Sequence, residues 1–259
     1  MTDIEEALYL IRTRGWARFE TVLAAAQVGQ LAADARAVYD RRREAQISGG
    51  VSAHMEGTAH HVIGDGTGLD DFMNAMPLME VIERHFDGKV ILLNFGAAMN
   101  APGTQAYTHK IHRDVRAFSR DYPLSLNMLV MLDDFTVENG ATRVLEGSHH
   151  VAAMPAPEVF DRHAVSLTGK AGDIILFDSL LAHSAAPNHS GEWRRCLTLC
   201  FGRPFIKPQM DWPRFLSPAF QAALSPVGRQ LTGLDARVAT CLEDYYQPRE
   251  RWTFKADQI

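Results

Sequence analysis

The sequence is poor in cysteine, in long apolar runs and in excess charge, and each shortage excludes a class of protein. Three cysteines among 259 residues cannot build the disulfide framework of a small secreted domain. No apolar run approaches the roughly 20 residues that a membrane-spanning helix needs. A formal net charge of −5 gives no indication of a nucleic-acid surface. We therefore expect no nucleic-acid partner and no membrane segment.

The first ten residues, MTDIEEALYL, are acidic where a secretory signal is basic, and they lack its apolar centre. Sparse cysteines also suit a reducing compartment, so we expect a cytoplasmic protein. We find no linker, low-complexity tract or internal repeat in the chain. The length fits one domain, and we predict a single domain over residues 1–259.

The spacing of apolar residues changes along the chain. It is helical from about Leu23 to about Glu44 and again, more loosely, over residues 70–85. From roughly 89 to 206 the chain has short segments rich in β-branched and aromatic residues, separated by turn-forming residues. Short helical pieces return after Pro213. The pattern predicts a β sandwich or barrel, of which a jelly roll is one form, with α-helices at both ends.

A His-x-Asp motif and a distant histidine predict a metal site. On a strand, residues i and i+2 share a face, so His112 and Asp114 can reach one ion while Arg113 points away. His183 follows a second apolar strand and can supply the third ligand. Two histidines and one carboxylate form the open face typical of non-haem iron(II). A closed zinc site would need a fourth ligand, and the cysteines lack C-x-x-C spacing.

Other histidines are weaker candidates. His85 and Asp87 repeat the motif where a helix ends, and there i and i+2 diverge by about 200° around the axis. His54, His60 and His61 lie in a segment flanked by glycine and serine, where they could line a site or be ordinary loop residues.

An arginine shortly after His183 suggests a dicarboxylate ligand. The segment around Arg194 and Arg195 reads as a strand, so one guanidinium must face the interior and needs an anionic partner. The face of Arg194 also carries Cys196 and Thr198, small residues that leave room for a ligand. The planar fork matches the distal carboxylate of 2-oxoglutarate. The alternative is a structural ion pair with a core acid.

Two segments resemble the phytanoyl-CoA dioxygenase (PhyH) family: LSLNMLVMLDDFTVENGATRVLEGSHH and AGDIILFDSLLAHSAAPNHSGEWRR. The resemblance extends from GWARFETVL near the front to FGRPF near residue 206. It implies a mainly β fold whose double-stranded β-helix (jelly roll, cupin-like) core, roughly 89–206, has flanking α-helices at both ends. It also implies an Fe(II)- and 2-oxoglutarate-dependent oxygenase.

By that similarity, His112, Asp114 and His183 would bind Fe(II), Arg194 would bind 2-oxoglutarate, and Asn127 would contact this co-substrate. Related halogenases replace the carboxylate by Gly or Ala, so Asp114 favours hydroxylation of an unactivated C–H bond. The expected partners are dioxygen and a small organic substrate, with release of succinate and CO2. His149 and His150 are not expected to be ligands, because the family's Gly-Ser-His closes a turn.

Two other functions remain open. A cupin-like metalloenzyme that does not use 2-oxoglutarate would need Arg194 to be structural. A non-catalytic small-molecule binding protein could use the same barrel. The sequence leaves the substrate unnamed, but it offers candidate contacts and nearby cations that would suit an anionic group or simply face solvent. These residues are the loop 52–66, Lys110, Arg113, Arg116, Phe118 and Trp212.

Overall fold

A computed structural model describes residues 3–103, 106–119 and 122–252. Seven of its helices and strands precede residue 101: α1 Ile4–Arg14, β1 Trp16–Phe19, α2 Ala25–Ser48, β2 Thr58–His60, α3 Gly68–Asn74, α4 Met79–Phe86 and β3 Ile91–Asn100. The later ones are β4 Ser125–Met131, β5 Thr142–Val144, α5 Pro157–His163, β6 Val165–Ser166, β7 Ile174–Asp178, β8 His183–Ala185, β9 Arg194–Gly202, α6 Trp212–Phe215, α7 Pro218–Ala222, α8 Pro226–Leu231 and α9 Leu242–Tyr245.

The strands form two antiparallel sheets that confirm the predicted jelly-roll core. The larger sheet has the order β1-β7-β4-β9-β3-β2, and the smaller has the order β6-β5-β8. A single antiparallel bridge between His112 and His183 adds one residue pair beside β8. The chain thus brings the region of the His-x-Asp motif against the smaller sheet.

The faces of β9 separate the core from the candidate site. Leu197 and Leu199 are buried in a large apolar cluster together with residues of the first four helices. Arg194, Cys196 and Thr198 alternate with them and face a cavity. This alternation follows from the two-residue period of a strand, and it directs Arg194, Cys196 and Thr198 into the space between the two sheets.

Several boundaries differ from the sequence predictions. Helix α1 and strand β2 were not predicted, and β2 joins the larger sheet. Strand β1 lies in the segment GWARFETVL, for which a short strand was expected. The helical pattern over residues 70–85 divides into α3 and α4. In the described parts of the chain, no helix is both long and apolar enough to pass through a membrane.

The strand predicted around the His-x-Asp motif is largely wrong. Tyr107–His109 form a 3-10 helix, and His112 makes only the isolated bridge to His183. Residues 104 and 105, which the prediction included, lie outside the described residues. The adjacent strand β8 is three residues long, and among the described residues only its first residue, His183, pairs with this segment.

Candidate functional site

Three side chains converge where the smaller sheet meets the His-x-Asp segment. The backbones of His112 and His183 exchange two hydrogen bonds, of 2.9 and 3.0 Å, which places the two rings 4.2 Å apart. The Asp114 carboxylate lies 3.6 Å from Nε2 of each histidine, through Oδ1 for His112 and Oδ2 for His183. One potential ligand atom from each residue lies within 4.8 Å of the others. This spacing allows one ion to contact all three.

Backbone carbonyls fix the orientation of both imidazole rings. Nδ1 of His112 lies 2.7 Å from the Lys110 carbonyl oxygen, and Nδ1 of His183 lies 2.9 Å from that of Leu181. A carbonyl only accepts, so Nδ1 carries the proton and Nε2 keeps the lone pair that binds a metal. Burial also lowers the pKa of His183, which favours the neutral ring.

Asn127 holds the Asp114 carboxylate from β4. Its Nδ2 donates to Asp114 Oδ2 at 2.6 Å, and the Asp114 backbone N–H donates to the Ser179 carbonyl at 3.1 Å. Asn127 also lines the cavity. Its contact with 2-oxoglutarate stays a prediction, whereas its contact with Asp114 gives it a direct part in orienting a ligand.

We predict that Asn127→Ala lowers Fe(II) affinity by about 10- to 100-fold, because partners that orient metal ligands typically contribute this much. Anaerobic competition with a colorimetric iron chelator measures the affinity. Asn139→Ala is the control, since that side chain hydrogen-bonds only within the turn of residues 134–139, to the Thr136 N–H and to the Asp134 carbonyl. Equal affinities for the wild type and Asn127→Ala would remove Asn127 from this role.

Arg194 faces the interior, as predicted, and it has no ion pair among the described residues. Its side chain is buried, its Nη1 lies 3.7 Å from Cys196 Sγ, and its Nε has no hydrogen-bond partner. The guanidinium carbon lies 4.3 Å from the centre of the Phe135 ring. Its neighbour Arg195 instead binds Asp133 through two hydrogen bonds, of 2.8 and 2.6 Å. The predicted alternative of a structural ion pair therefore describes Arg195 and not Arg194.

A cavity of about 1010 Å³ joins Arg194 to the three converging side chains. Its wall between them includes Ala98, Cys196 and Thr198, whose small side chains leave space for a ligand. A buried guanidinium with an unpaired N–H is costly unless an anion binds it. The residues present therefore fit Fe(II) at the triad and a dicarboxylate that reaches from the metal to Arg194.

Cys200 lies beside the triad without being a fourth ligand candidate. Burial, with a smaller contribution from the negative charge of Asp114, raises the pKa of its thiol to about 12. Its sulfur is not among the converging atoms of His112, Asp114 and His183 that could share one ion. Cys200 thus acts as a small side chain on the cavity wall.

The burial of the three cysteines predicts which thiol reacts first. Cys196 is buried and Cys200 partly so, while Cys241 is exposed on the helical tail. At pH 8, iodoacetamide should label Cys241 in the folded protein and all three cysteines after denaturation, because the thiolate is the reactive form. Peptide mass spectrometry identifies the labelled sites. Labelling of folded Cys200 as fast as Cys241 would contradict the buried environment.

The histidines of the loop 52–66 divide between cavity and core. His54 and His60 line the cavity on either side of Tyr107, with the His54 ring stacked at 5.4 Å and His60 Nε2 lying 3.5 Å from the Tyr107 hydroxyl. His61 packs edge-on against Trp212. Part of this loop therefore lies close enough to contact a bound substrate.

One predicted substrate contact is wrong, and one of the cations near the metal motif is already engaged. Trp212 is 1% exposed, and its indole N–H donates to the Leu92 carbonyl, so it belongs to the apolar core. Arg113 points away from the metal ligands, as predicted, but it is not available to a substrate anion. Its guanidinium donates to four backbone carbonyls, those of Ser148, Val151, Ala152 and Ala153.

The histidines not expected to bind the metal lie elsewhere. His85 is in the last turn of α4, where burial lowers its pKa to about 4. His149 and His150 each make a hydrogen bond to the Arg12 carbonyl.

Sequence reasoning missed several polar residues of the cavity wall, four of which carried a signal in the sequence. The available signal was a polar side chain at an inward position of an apolar strand or next to the metal motif. These residues are Asn94, Tyr107, Ser125 and Thr142.

Comparison with known proteins agrees with this geometry. An uncharacterized protein of Mycobacterium tuberculosis is 34% identical over 152 residues, which cover 59% of this chain and 56% of the relative. The iron/alpha-ketoglutarate-dependent dioxygenase penM of Penicillium thymicola is 32% identical over 148 residues, which cover 53% and 46%. The chain thus spans about half the length of the curated relatives it matches.

A solved structure and a family model complete the comparison. The epimerase SnoN, solved in complex with Fe3+, alpha ketoglutarate and nogalamycin RO, matches with a TM-score of 0.59 and 20% identity, covering 77% of this chain and 83% of SnoN. At this identity the match supports the fold alone. The model of the family "Phytanoyl-CoA dioxygenase (PhyH)" matches residues 11–196, well over half of the sequence. The chain therefore belongs to the phytanoyl-CoA dioxygenase (PhyH) family.

Proposed function

We propose that the chain is an Fe(II)- and 2-oxoglutarate-dependent oxygenase that hydroxylates a C–H bond of a small organic substrate. One observation carries this proposal: His112, Asp114 and His183 converge in a cavity that also contains the unpaired guanidinium of Arg194. Membership of the family and the named dioxygenase relatives support it.

In the proposed reaction, dioxygen provides one oxygen atom to the hydroxylated substrate and the other to succinate. The substrate C–H becomes C–OH, and 2-oxoglutarate loses CO2 and takes up the other atom to become succinate. Iron supplies the redox chemistry when bound. The protein contributes binding and orientation, and both depend on the fixed positions of the triad and of Arg194.

Each residue has a separate part in that orientation. His112 and His183 present Nε2 to the metal because their Nδ1 atoms are held by carbonyls. Asp114 supplies negative charge in a position set by Asn127. Arg194 would bind the distal carboxylate of 2-oxoglutarate and so fix the other end of the co-substrate.

The two alternatives have less support. A cupin-like metalloenzyme without 2-oxoglutarate requires a structural partner for Arg194, and the described residues supply no ion pair to it. A non-catalytic binding protein has no need of three convergent metal ligands with fixed tautomers. The oxygenase uses both features.

We also propose that residues 1–259 act as one cytoplasmic domain. Strand β1 pairs with β7, and Trp212 of the tail bonds to Leu92 of β3, so both ends of the β region share its core. Three free cysteines suit a reducing compartment.

Succinate release tests the proposed reaction. The protein incubated in air with Fe(II), ascorbate and 2-oxoglutarate should release succinate slowly even without substrate, as measured by liquid chromatography. Omitting dioxygen, or replacing Fe(II) by Zn(II), should stop the release. Normal iron binding without any succinate would favour the cupin-like alternative.

A further inference from the structure

The cavity continues beyond the triad, on the side away from Arg194. Arg194 and Cys200 are separated along β9 by about 20 Å, at 3.3 Å per residue. Asn127, which holds Asp114, pairs directly opposite Cys200, so the triad lies near this far end of the strand. At the level of Cys200 and past it, five residues line the cavity and form what we call the distal polar end: Asn94, Ser125, Cys200, Lys207 and Gln209.

Two buried polar atoms at the distal polar end have a weak partner or none. Ser125 is 3% exposed, and the only partner of its hydroxyl among the described residues is the Cys200 thiol, a weak hydrogen-bonding group. The Oδ1 atom of Asn94 is buried and has no hydrogen-bond partner among the described residues. A shift of register between Leu92 and Asn94, where β3 pairs with β9, puts Leu93 and Asn94 both on the cavity wall. Buried groups of this kind normally have partners, so they indicate a ligand.

The charge of the whole cavity indicates the sign of that ligand. Its described wall carries five cationic side chains and one carboxylate, that of Asp114. Arg113 is engaged by backbone carbonyls, and Arg194 is assigned to the co-substrate. Lys110, Arg116 and Lys207 make no ion pair with a described residue, and the charges of Fe(II) and 2-oxoglutarate would offset each other. The cavity therefore keeps a positive excess that favours an anionic substrate.

Resting on the proposed function, we propose that the substrate carries an anionic oxygen group, a carboxylate or a phosphate, that binds at the distal polar end. Lys207 supplies the positive charge and Ser125 donates a hydrogen bond to the same group. Leu93, Leu180 and Phe118 give the adjoining wall an apolar surface for the carbon skeleton. The group would then be held on the opposite side of the metal from Arg194, with the reacting carbon between them.

Probes of equal length that differ only in their head group test this assignment. The full chain is loaded with Ni(II) and saturating 2-oxoglutarate, so that Arg194 is occupied, and is titrated calorimetrically with octanoate, octyl phosphate, octanol and octylamine. We expect one or both anions to bind at least about tenfold tighter than octanol and octylamine, since a charge-assisted hydrogen bond is worth about 1.5–3 kcal/mol. The comparison of octanoate with octyl phosphate separates the two anionic groups.

Single substitutions locate the bound anion. Lys207→Gln and Ser125→Ala should each weaken the tighter anion about tenfold, while Lys207→Arg keeps most of the affinity. Lys170→Gln removes the same charge from a lysine paired with Asp134 outside the cavity, and it should leave the affinity unchanged. No preference for either anion, or a preference unaffected by both substitutions, would overturn the proposal.

The failure of the proposed function has a different signature. Titration of the Ni(II) protein with 2-oxoglutarate alone reports on the co-substrate site, and Arg194→Ala should remove that binding. If 2-oxoglutarate does not bind, the proposed oxygenase is wrong, whatever the octyl probes show. If octanoate binding is lost in Arg194→Ala and kept in Lys207→Gln, the anion occupies the Arg194 site and the distal assignment is wrong.

Discussion

Replacing Asp114 by alanine is expected to lower Fe(II) affinity by more than about a hundredfold. Losing a residue that only orients a metal ligand costs up to about a hundredfold, and the loss of a ligand itself should cost more. Asp114 is the one carboxylate on the described wall of the cavity, and it lies 3.6 Å from Nε2 of both histidines. Without it, two neutral imidazoles remain to hold a divalent cation. Anaerobic chelator competition measures the change, and succinate release should fall with iron occupancy.

A second acidic residue controls for general loss of charge. Asp161 pairs with Arg143 on the surface, so Asp161→Ala removes one negative charge far from any metal ligand. This variant should bind Fe(II) as the wild type does. Undiminished affinity in Asp114→Ala would show that the iron binds elsewhere, and the proposed triad would be wrong.

Arg194→Ala is expected to weaken 2-oxoglutarate binding by about a hundredfold, since truncating one partner of a buried charge pair costs about 2–5 kcal/mol. Fe(II) affinity should stay near the wild-type value, because Arg194 contacts none of the three metal ligands among its recorded hydrogen bonds. Calorimetric titration of the Ni(II) protein with 2-oxoglutarate measures the loss. Arg194→Lys should retain part of the 2-oxoglutarate affinity, because lysine keeps the positive charge but lacks the planar fork of arginine.

The neighbouring arginine makes a matched control. Arg195→Gln breaks the pair with Asp133, so it should lower the midpoint of thermal unfolding and leave 2-oxoglutarate affinity intact. Arg194→Met should lower 2-oxoglutarate affinity and leave the midpoint of thermal unfolding unchanged or higher. The reason is that no described residue forms an ion pair with the Arg194 guanidinium in the free protein, so this charge adds little stability. Equal losses of 2-oxoglutarate affinity in both variants would mean that the effect comes from stability and not from a direct contact.

The sequence was sufficient to choose three side chains that converge, because metal-binding chemistry is encoded in residue types. His112, Asp114 and His183 are the residues that the structure brings together. The choice of Arg194 over Arg195 also needed only the two-residue period of a strand and the small residues that share its face.

The backbone conformation around the His-x-Asp motif could not be predicted from residue types. The sequence suggested a strand, whereas His112 is held by a single bridge to His183 and Arg113 by carbonyls of residues 148–153. Both contacts are distant in sequence, so no local pattern indicates them. Tertiary pairing places His112 and His183 in register, and strand propensity contributes little.

The roles of single polar side chains were also beyond the sequence. Trp212 looked like a substrate contact in the tail, but its indole lies in the core because its N–H finds the Leu92 carbonyl. Asn127 was assigned to the co-substrate by family resemblance, and the contact found is with Asp114. Only the spatial arrangement reveals which partner such a side chain has.

Anaerobic titration of the Fe(II)-loaded protein with 2-oxoglutarate tests the central claim most directly. Chelation of iron by the 2-oxo acid should produce a weak visible charge-transfer band that saturates at one equivalent, and the band should be absent in Asp114→Ala and require far more 2-oxoglutarate in Arg194→Ala. A protein that binds one Fe(II) yet develops no such band at any 2-oxoglutarate concentration would contradict the assignment of this cavity to iron and 2-oxoglutarate together.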